Sequence, residues 1–377
     1  MDDKSKIGVV LIGGGTIAPL HAKYLLSSPT CELLAIIDPF SPGQNLAKSL
    51  SVPHFPTVPE LLSSTSRVPE AYIICAPSGL HVSLATGILG LTSPKVILVE
   101  KPISTTSNSG TQLISLAKTK ECKLMVGHHR RYYPALDASK QLILSGKLGK
   151  ITAVTGQWMS KKTGDYFEFA EWRRSRSRGG GPVWTNFVHD IDVLHFLTGS
   201  KVIRVWATGT VSRRGHDGVK EGDEVEEGAA ILFQFADGVV GTFVLCDNVA
   251  SPYGWDSATG DNPSYPKAEG GVDAFRVFGS DGTLSVPDGC IWTYTKEGTE
   301  KRGVRVGWNA PMTKEILKVV DGVPFQLQVE HLARVVTGIE EPRCSGEDGL
   351  AAVKVCEAVI KALRNGDGCP VDISHIV

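Results

Sequence analysis

The stretch Ile7-Gly8-Val9-Val10-Leu11-Ile12-Gly13-Gly14-Gly15-Thr16-Ile17-Ala18 decides the fold of the N-terminal half. Its apolar start predicts a buried strand, and a helical pattern follows the glycines through Leu26. The glycines and Ala18 match G-x-G-x-x-G/A, in which one glycine permits a tight turn, another lets a ligand approach and a small residue allows close packing. The helix N-terminus then offers amide donors to phosphates. The predicted diphosphate site comprises Gly13, Gly15, Thr16 and Ile17.

An acidic residue ends the second predicted strand, Leu33–Ile37. Asp38 in this position is typical of a carboxylate that binds the ribose 2′-hydroxyl of NAD and repels a 2′-phosphate. The alternative is that Asp38 only opens the Asp38-Pro39 turn. No arginine follows directly, so the sequence favours NAD(H), with NADP(H) possible.

The alternation of strand and helix then continues. Strands are predicted at Ala71–Cys75, Val96–Val99 and Lys123–Gly127, and helices at His81–Leu89 and Asn108–Lys118. This spacing predicts a doubly wound parallel sheet, whose strands end at one common edge. We therefore expect the residues that follow these strands to share a cleft with the glycine turn.

A charged pair follows the apolar strand Val96–Val99. Glu100 and Lys101 lie at a carboxyl strand end, where open α/β sheets bind their ligands, and Pro102 ends the strand. Lys101 is a candidate proton donor, although charges at a strand end can also serve only solubility. Further cofactor-binding candidates at this edge are Ala76, Pro77 and His81.

The chain of 377 residues is long for one hydrophobic core, which predicts two domains, 1–128 and 129–377. In the second, strand-like runs separated by turns such as Asp237-Gly238 predict a large, mostly antiparallel sheet. A helix at Pro182–Leu197 interrupts it. The long loop Pro252–Gly271 is predicted to be either a functional lid or mobile.

Composition excludes several classes of protein. A net charge of −1 gives no basic surplus for nucleic acid, and no apolar run is long enough to span a membrane. The N-terminus Met1–Lys4 is too polar for a signal peptide. The eight cysteines are scattered without a CxxC pair, which favours buried thiols in a reducing compartment over a metal site. We expect a cytoplasmic protein.

The interrupting helix carries a second group of polar residues. It follows Gly179-Gly180-Gly181, and Pro182 suits its first turn. Thr185 and Asn186 precede His189 by four and three residues, which predicts one shared helix face. His189 is either an acid–base group near neutral pH or a histidine of the core. Asp192, one turn on, either orients it or is a solvated acid.

Taken together, the motifs resemble the glucose–fructose oxidoreductase/inositol dehydrogenase/rhizopine catabolism (Gfo/Idh/MocA) family. They follow the family order over almost the whole chain. They are Gly13–Ala18 with His21, Ala76-Pro77-Ser78 with His81, Glu100-Lys101-Pro102, Gly127 with Arg131 and Pro134, Ser145–Ile151, Gly179–Gly181 with His189-Asp190, and Ser345–Leu350.

The resemblance implies an N-terminal Rossmann domain and a C-terminal α/β domain whose open sheet face mediates homodimers or homotetramers. It implies that Lys101 is the active-site lysine beside the nicotinamide, that the Lys101-Pro102 peptide is cis, and that His189 is the family histidine. Many sugar and inositol dehydrogenases of the family carry Asp where this chain has Thr185. The absent carboxylate removes one proton relay and makes inositol dehydrogenase itself less favoured.

The sequence therefore predicts an NAD(P)-dependent dehydrogenase or reductase of a sugar, polyol or related cyclic hydroxy or keto compound. Lys101 and His189 are its catalytic candidates. One alternative is a non-sugar substrate such as a dihydrodiol, ketone or imine, and another is a cofactor-binding regulator without turnover. The substrate-binding candidates are Lys101, Arg130, Trp172, Arg173, Thr185, Asn186 and His189, of which Arg130, Trp172 and Arg173 are equally consistent with ordinary surface or packing.

Overall fold

The computed structural model describes residues 6–215, 219–262, 265–294, 308 and 310–374. The polar segment Met1–Lys4, on which the expectation of no signal peptide rests, lies outside them. The chain divides into two compact units: Met1–Tyr133 with Gly322–Lys354, and Pro134–Asp321 with Val355–Val377.

The first unit is built on a six-stranded parallel sheet in the order β3-β2-β1-β4-β5-β6. Its strands are β1 (Ile7–Ile12), β2 (Cys31–Ile37), β3 (His54–Phe55), β4 (Ala71–Ile74), β5 (Val96–Val99) and β6 (Lys123–Val126). The strand order reverses between β1 and β4, and ligands of such sheets bind outside the carboxyl ends at this switch point. The predicted doubly wound sheet is confirmed.

Helices cover this sheet, so every residue of β4 and β5 is buried, as expected for apolar parallel strands. Thr57 and Thr106 cap two of the helices by accepting the N–H groups of Glu60 and Ser109. The connecting helices are α1 (Ala18–Ser27), α2 (Ser41–Leu50), α3 (Val58–Ser64), α4 (His81–Leu91) and α5 (Ser107–Thr119).

A helix from late in the chain completes the first unit. Residues Pro324–Val336 bury Val329, Leu332 and Val336 in the same apolar cluster as Leu25 of α1. The sequence predicts one division of the chain, after residue 128, whereas in the structure Gly322–Lys354 belongs with the first unit. The apolar stripe of this helix accounts for the difference, because it packs beside α1.

The second unit contains a nine-stranded sheet in the order β14-β13-β12-β11-β7-β10-β9-β8-β15, and only β7 and β10 pair in parallel. The predicted, mostly antiparallel sheet is therefore confirmed. Its strands are β7 (Ile151–Met159), β8 (Val202–Gly209), β9 (Gly228–Phe235), β10 (Val240–Cys246), β11 (Phe275–Gly279), β12 (Gly282–Val286), β13 (Cys290–Tyr294), β14 (Met312–Ile316) and β15 (Val371–Asp372).

Glu227, which directly precedes β9, accepts the N–H groups of Arg213 and Arg214 with its carboxylate. The remaining helices are α6 (Pro134–Leu144), α7 (Gly164–Glu168), α8 (Val188–Thr198), α9 (Trp255–Thr259), α10 (Pro324–Val336) and α11 (Gly346–Asn365).

The long loop Pro252–Gly271 contains α9, and its described part is anchored on β7. Trp255 is fully buried, and Trp158 Nε1 donates to Asp256 Oδ2 at 2.8 Å. Seven of the eight cysteines are buried free thiols and Cys369 is exposed, which confirms the prediction of buried thiols. Within the described ranges, each helix is too short or too polar to cross a bilayer.

Candidate active site

The turn after β1 lies against the loop after β4. Gly13 has φ +93°, a left-handed conformation that favours glycine, and its N–H donates to the Ile37 carbonyl at 2.7 Å. A Cβ at Gly13 would lie 3.1 Å from Ala76 N and from the Cys75 carbonyl carbon. The glycine is therefore required for both the turn and the close contact between the two loops.

The same turn offers open hydrogen-bond donors at the start of α1. The N–H groups of Gly15, Thr16 and Ile17 donate to no other residue that the structure describes. A Cβ at Gly15 would have only the Cys75 carbonyl oxygen within 4 Å, at 3.6 Å. Free amides at the positive end of a helix dipole suit the diphosphate of a dinucleotide, so the residues present fit the predicted cofactor.

Asp38 is buried at the end of β2 and holds two main-chain groups. Its Oδ2 accepts the N–H of Gly14 at 2.8 Å, and its Oδ1 accepts the N–H of Phe40 at 2.9 Å. Asp38 thus stabilises both the glycine turn after β1 and the turn at Asp38–Phe40. Each carboxylate oxygen can accept a second hydrogen bond.

His81 joins the loops that follow β4 and β5. Its Nδ1 lies 2.7 Å from the Pro102 carbonyl oxygen, and its Nε2 lies 2.8 Å from the Ala76 carbonyl oxygen. Both partners are acceptors, so the neutral ring donates to one of them and the cation to both. The ring is buried, and it fixes the peptide before Pro77 and the peptide after Pro102. The Lys101-Pro102 peptide is cis, as predicted.

Glu100 is a buried acid behind Lys101, and one of its oxygens accepts the Lys101 N–H at 3.2 Å. Burial by itself raises the pKa of Glu100. The hydrogen bond and charge of His21, with the charges of His129 and Lys101, outweigh that effect and hold the pKa below its usual value. Arg130 lies in the short turn after β6 in the same unit and is buried.

In the second unit, the helix that carries Thr185 and Asn186 begins as a π-helix over Val183–Phe187 and continues as α8. The predicted α-helical spacing from Thr185 to His189 therefore does not apply across this segment. Thr185 Oγ1 donates to the Gly181 carbonyl at 2.9 Å, which ties the segment to the glycine loop. Single π-turns within helices are frequent at functional sites.

A glutamate of the neighbouring segment anchors the start of this helix. Glu226 Oε1 accepts the Val183 N–H at 3.0 Å. Gly181 has φ +88°, and a Cβ there would lie 2.6 Å from that oxygen. Burial raises the pKa of Glu226 to about 7, against the opposing effect of the Val183 hydrogen bond. The glycine loop is therefore shaped around this carboxyl group.

His189 and Asp192 are both buried on α8. Asp192 is fully buried, so the alternative of a solvated acid is wrong. Trp172 is 41% exposed, and Arg173 donates to the Tyr166 carbonyl at 2.6 Å. Among the aromatic residues of this unit, Trp158, Phe167 and Trp255 are buried, Tyr166 is partly buried and Tyr253 is 47% exposed.

Sequence analysis missed one functional candidate, Lys162. Its Nζ donates to Asn186 Oδ1 at 2.7 Å and to Thr185 Oγ1 at 3.4 Å. Burial of the ammonium group lowers the pKa of Lys162 to about 8, with Asp247 opposing that shift. In the sequence Lys162 appears as one of two lysines in a loop. No pattern in its own segment marks it.

Comparison with known proteins gives a consistent result for both units. Residues 7–128 match the model of an oxidoreductase family with an NAD-binding Rossmann fold. Residues 137–285 match the model of the GFO/IDH/MocA C-terminal domain. Together these matches cover most of the chain.

Two curated relatives match over nearly their whole length. The inositol 2-dehydrogenase of Rhizobium meliloti (strain 1021) is 22% identical over 355 residues, covering 94% of this chain and 96% of that protein. The myo-inositol 2-dehydrogenase of Thermotoga maritima is 25% identical over 362 residues, covering 95% and 96%. The WlbA dehydrogenase of Bordetella pertussis, solved with NADH and UDP-GlcNAcA, shares the fold with a TM-score of 0.72 at 19% identity, covering 98% of this chain and 99% of that chain.

Proposed function

Because this chain belongs to the GFO/IDH/MocA family of NAD-binding oxidoreductases, we propose that it transfers a hydride between a nicotinamide cofactor and a sugar, polyol or related cyclic hydroxy or keto compound. The observation that carries the proposal is the end of β5. There Lys101 follows the buried Glu100 at the same sheet edge as the open amides of the glycine turn. The full-length match to two inositol dehydrogenases supports the substrate class.

The first unit binds the cofactor. Gly13 and Gly15 shape the turn, and the amides of Thr16 and Ile17 with the dipole of α1 hold the diphosphate. Asp38 accepts a ribose hydroxyl with its remaining lone pairs and repels a 2′-phosphate, so NAD is preferred to NADP. Ala76 and Pro77 line the pocket in the position that His81 fixes through two carbonyl groups.

The reaction requires the chain to move one proton. The nicotinamide, when bound, accepts or supplies the hydride. In the oxidation direction, Lys101 as the free amine takes the proton from the substrate hydroxyl and releases it to solvent. His189 donates or accepts a hydrogen bond at the same oxygen and orients it. Arg130, Trp172, Arg173, Thr185 and Asn186 contribute to substrate binding.

The test is NADH formation from NAD⁺ across a panel of sugars, inositols and cyclic diols, with Lys101→Met as the key variant. We expect turnover on at least one compound and its loss in Lys101→Met, with NADH binding retained. Lys95→Met, at the exposed start of the same strand, is the matched control and keeps wild-type activity. Near-wild-type turnover in Lys101→Met excludes the assigned role. NADH binding without turnover in either direction favours the regulator.

We also propose that a second copy of the chain covers the outward face of the sheet in the second unit, giving a homodimer or homotetramer. Leu232, Val240 and Val244 of β9 and β10 are exposed on it, and Leu232 pairs with Thr242. Light scattering on a sizing column should show an oligomer that Leu232→Glu weakens. Leu91→Glu, at an exposed leucine of the first unit, should leave it intact.

A further inference from the structure

Two cationic side chains lie against one tyrosine ring in the second unit. Lys162 Nζ is 4.7 Å and Arg173 Cζ is 3.9 Å from the centroid of the Tyr166 ring. Lys162 Nζ is also 5.1 Å from the centroid of the Trp158 ring. Cation–π contacts hold these groups in place and leave most of their N–H donors available.

Neither cation forms a salt bridge or a hydrogen bond with an acid among the described residues, and Asp247 acts on Lys162 only through its charge. Lys162 donates to Asn186 and Thr185, both neutral, and Arg173 donates to the Tyr166 carbonyl. An ammonium group has three donors and a guanidinium group five, so several remain for a ligand. Removing a cation from water without a paired anion is unfavourable, which makes this arrangement unusual for a purely structural role.

The nearest acids are already bound to other groups. Asp247 accepts from Arg214 Nη2 at 3.1 and 3.3 Å. Asp256 accepts from Trp158 Nε1 at 2.8 Å. In the part of the chain that the structure describes, neither of these two acids forms a hydrogen bond with Lys162 or Arg173. Burial and the neighbouring arginines keep the pKa of Lys162 low, whereas an added anion beside it would raise that pKa.

Two exposed aromatic rings lie beside Arg173. Phe169 is 86% exposed and Trp172 41% exposed, and their ring centroids lie 5.8 and 5.9 Å from Arg173 Cζ. An apolar ring face beside a cation suits a cyclic ligand that carries an anionic group.

We propose that the substrate carries a carboxylate, as a sugar acid or cyclic polyol acid does, and that Lys162 and Arg173 bind it. The proposal rests on the proposed function and narrows its substrate class. Thr185 and Asn186 accept hydrogen bonds from Lys162 and so hold its ammonium group in position. They affect anion binding only by positioning the lysine. A carboxylate has two oxygens, one for the ammonium donors of Lys162 and one for the guanidinium donors of Arg173.

The first test compares matched pairs, D-glucuronate with D-glucose and D-galacturonate with D-galactose, with D-glucose 6-phosphate as the phosphate arm. Initial rates with NAD⁺ should favour the acids by about tenfold to hundredfold in kcat/KM, mainly through KM, as expected for a charged hydrogen bond. Lys162→Met should remove that preference and Lys162→Arg should keep part of it. Lys161→Met, at the exposed neighbour, should leave it unchanged.

Equal or better turnover of the neutral sugars overturns this inference and leaves the proposed function standing. A preference for the phosphate also overturns it. If none of these compounds is turned over but a neutral inositol or cyclic diol is, the inference is overturned and the proposed function stands. If no compound of the whole panel is turned over while NADH binds, the proposed function fails and the inference with it.

A second readout does not depend on turnover. N-hydroxysuccinimidyl acetate acylates free amines, and peptide mass spectrometry measures the extent at each lysine. D-glucuronate should protect Lys162 severalfold, whereas D-glucose at the same concentration should not, and labelling of Lys161 should be unchanged by either. Equal protection by both compounds contradicts a site for a carboxylate.

Discussion

His21 Nε2 lies 2.7 Å from Glu100 Oε1, and both side chains are buried. The contact joins the first turns of α1 to the end of β5, which are separated by 79 positions in the sequence. A Cβ at Gly127 would come within 2.8 Å of both carboxylate oxygens, so the end of β6 also closes around Glu100. The backbone from which Lys101 projects is thus fixed by a buried polar pair and a glycine.

Breaking this pair should destabilise the protein. His21→Leu leaves the Glu100 carboxylate buried without its partner, and we expect a loss of about 3–5 kcal/mol in the free energy of unfolding. His21→Leu/Glu100→Leu should recover part of that loss, because no buried charge remains. Urea unfolding at pH 7 measures both variants.

The same pair predicts a pH dependence. The pKa of folded Glu100 lies below its unfolded value of about 4.5, so its stabilisation is present above pH 4.5 and is lost as the pH falls through the folded value. The difference between wild type and His21→Leu should therefore shrink on acidification below pH 4.5. A difference that stays constant down to pH 3 would contradict the assigned ion pair.

Substitutions of two glycines in the turn after β1 should have different effects, one on stability and the other on cofactor binding. Gly13→Ala forces a side chain into φ +93° and against Ala76 N, so we expect a loss of about 1–3 kcal/mol in stability. A Cβ at Gly15 meets only an ordinary van der Waals contact, with the Cys75 carbonyl oxygen at 3.6 Å, so Gly15→Ala should stay within about 0.5 kcal/mol of wild type. Its methyl group should still weaken NADH binding, measured by fluorescence titration, by about tenfold or more. Unchanged NADH affinity in Gly15→Ala would place the diphosphate elsewhere.

The local pattern of the sequence predicted most of the fold, because alternating strands and helices in the first unit and turn-separated strands in the second are short-range signals. It missed β14, whose five residues are all exposed and therefore show no burial alternation. It also missed β3 and β15, of two residues each. The return of α10 to the first unit depends on contacts across about 300 residues, which no local pattern encodes.

Some residues of the candidate site could be predicted from local sequence patterns and others could not. Gly13, Asp38, His81 and Lys101 follow strands of one sheet, so topology alone brings them to one edge. Lys162 is recognised only when its contact with Asn186 is seen, because nothing in its own segment marks it.

The charge of Asp38 should set the cofactor preference. Asp38→Asn keeps the size of the side chain but removes the charge that repels a 2′-phosphate. We expect the ratio of kcat/KM for NAD to that for NADP to fall by about tenfold. The variant also loses one of the two acceptors that hold Gly14 and Phe40, so its thermal stability serves as the control for folding. If the variant folds and its ratio of kcat/KM for NAD to that for NADP is unchanged, then Asp38 only stabilises the turns and does not determine the cofactor preference.

Glu226 and Glu227 are adjacent, yet their replacement by glutamine should have opposite effects on stability. Burial raises the pKa of Glu226 to about 7, with Arg176 and Asp247 as charged neighbours of opposite effect. Glu227 is also buried, but its hydrogen bonds from Ser212, Arg213 and Arg214 hold its pKa below the usual value. Between pH 4.5 and 7 the folded state therefore binds more protons at Glu226 than the unfolded state does, so this residue lowers stability as the pH rises.

At pH 8 Glu226→Gln should be more stable than wild type, because the amide still accepts the Val183 N–H and no buried charge remains. The gain is at most about 3 kcal/mol, from roughly 1.4 kcal/mol for each unit of pKa shift, and it should vanish near pH 4. Glu227→Gln should be less stable than wild type at pH 8, since one of the two oxygens that accept from Ser212, Arg213, Arg214 and Asn248 becomes an amide NH₂ group, which cannot accept. Thermal unfolding of both variants from pH 4 to pH 8 tests the pair. Destabilisation by Glu226→Gln at pH 8 would show that the charged form supports the glycine loop, and would reverse the interpretation of this carboxyl group.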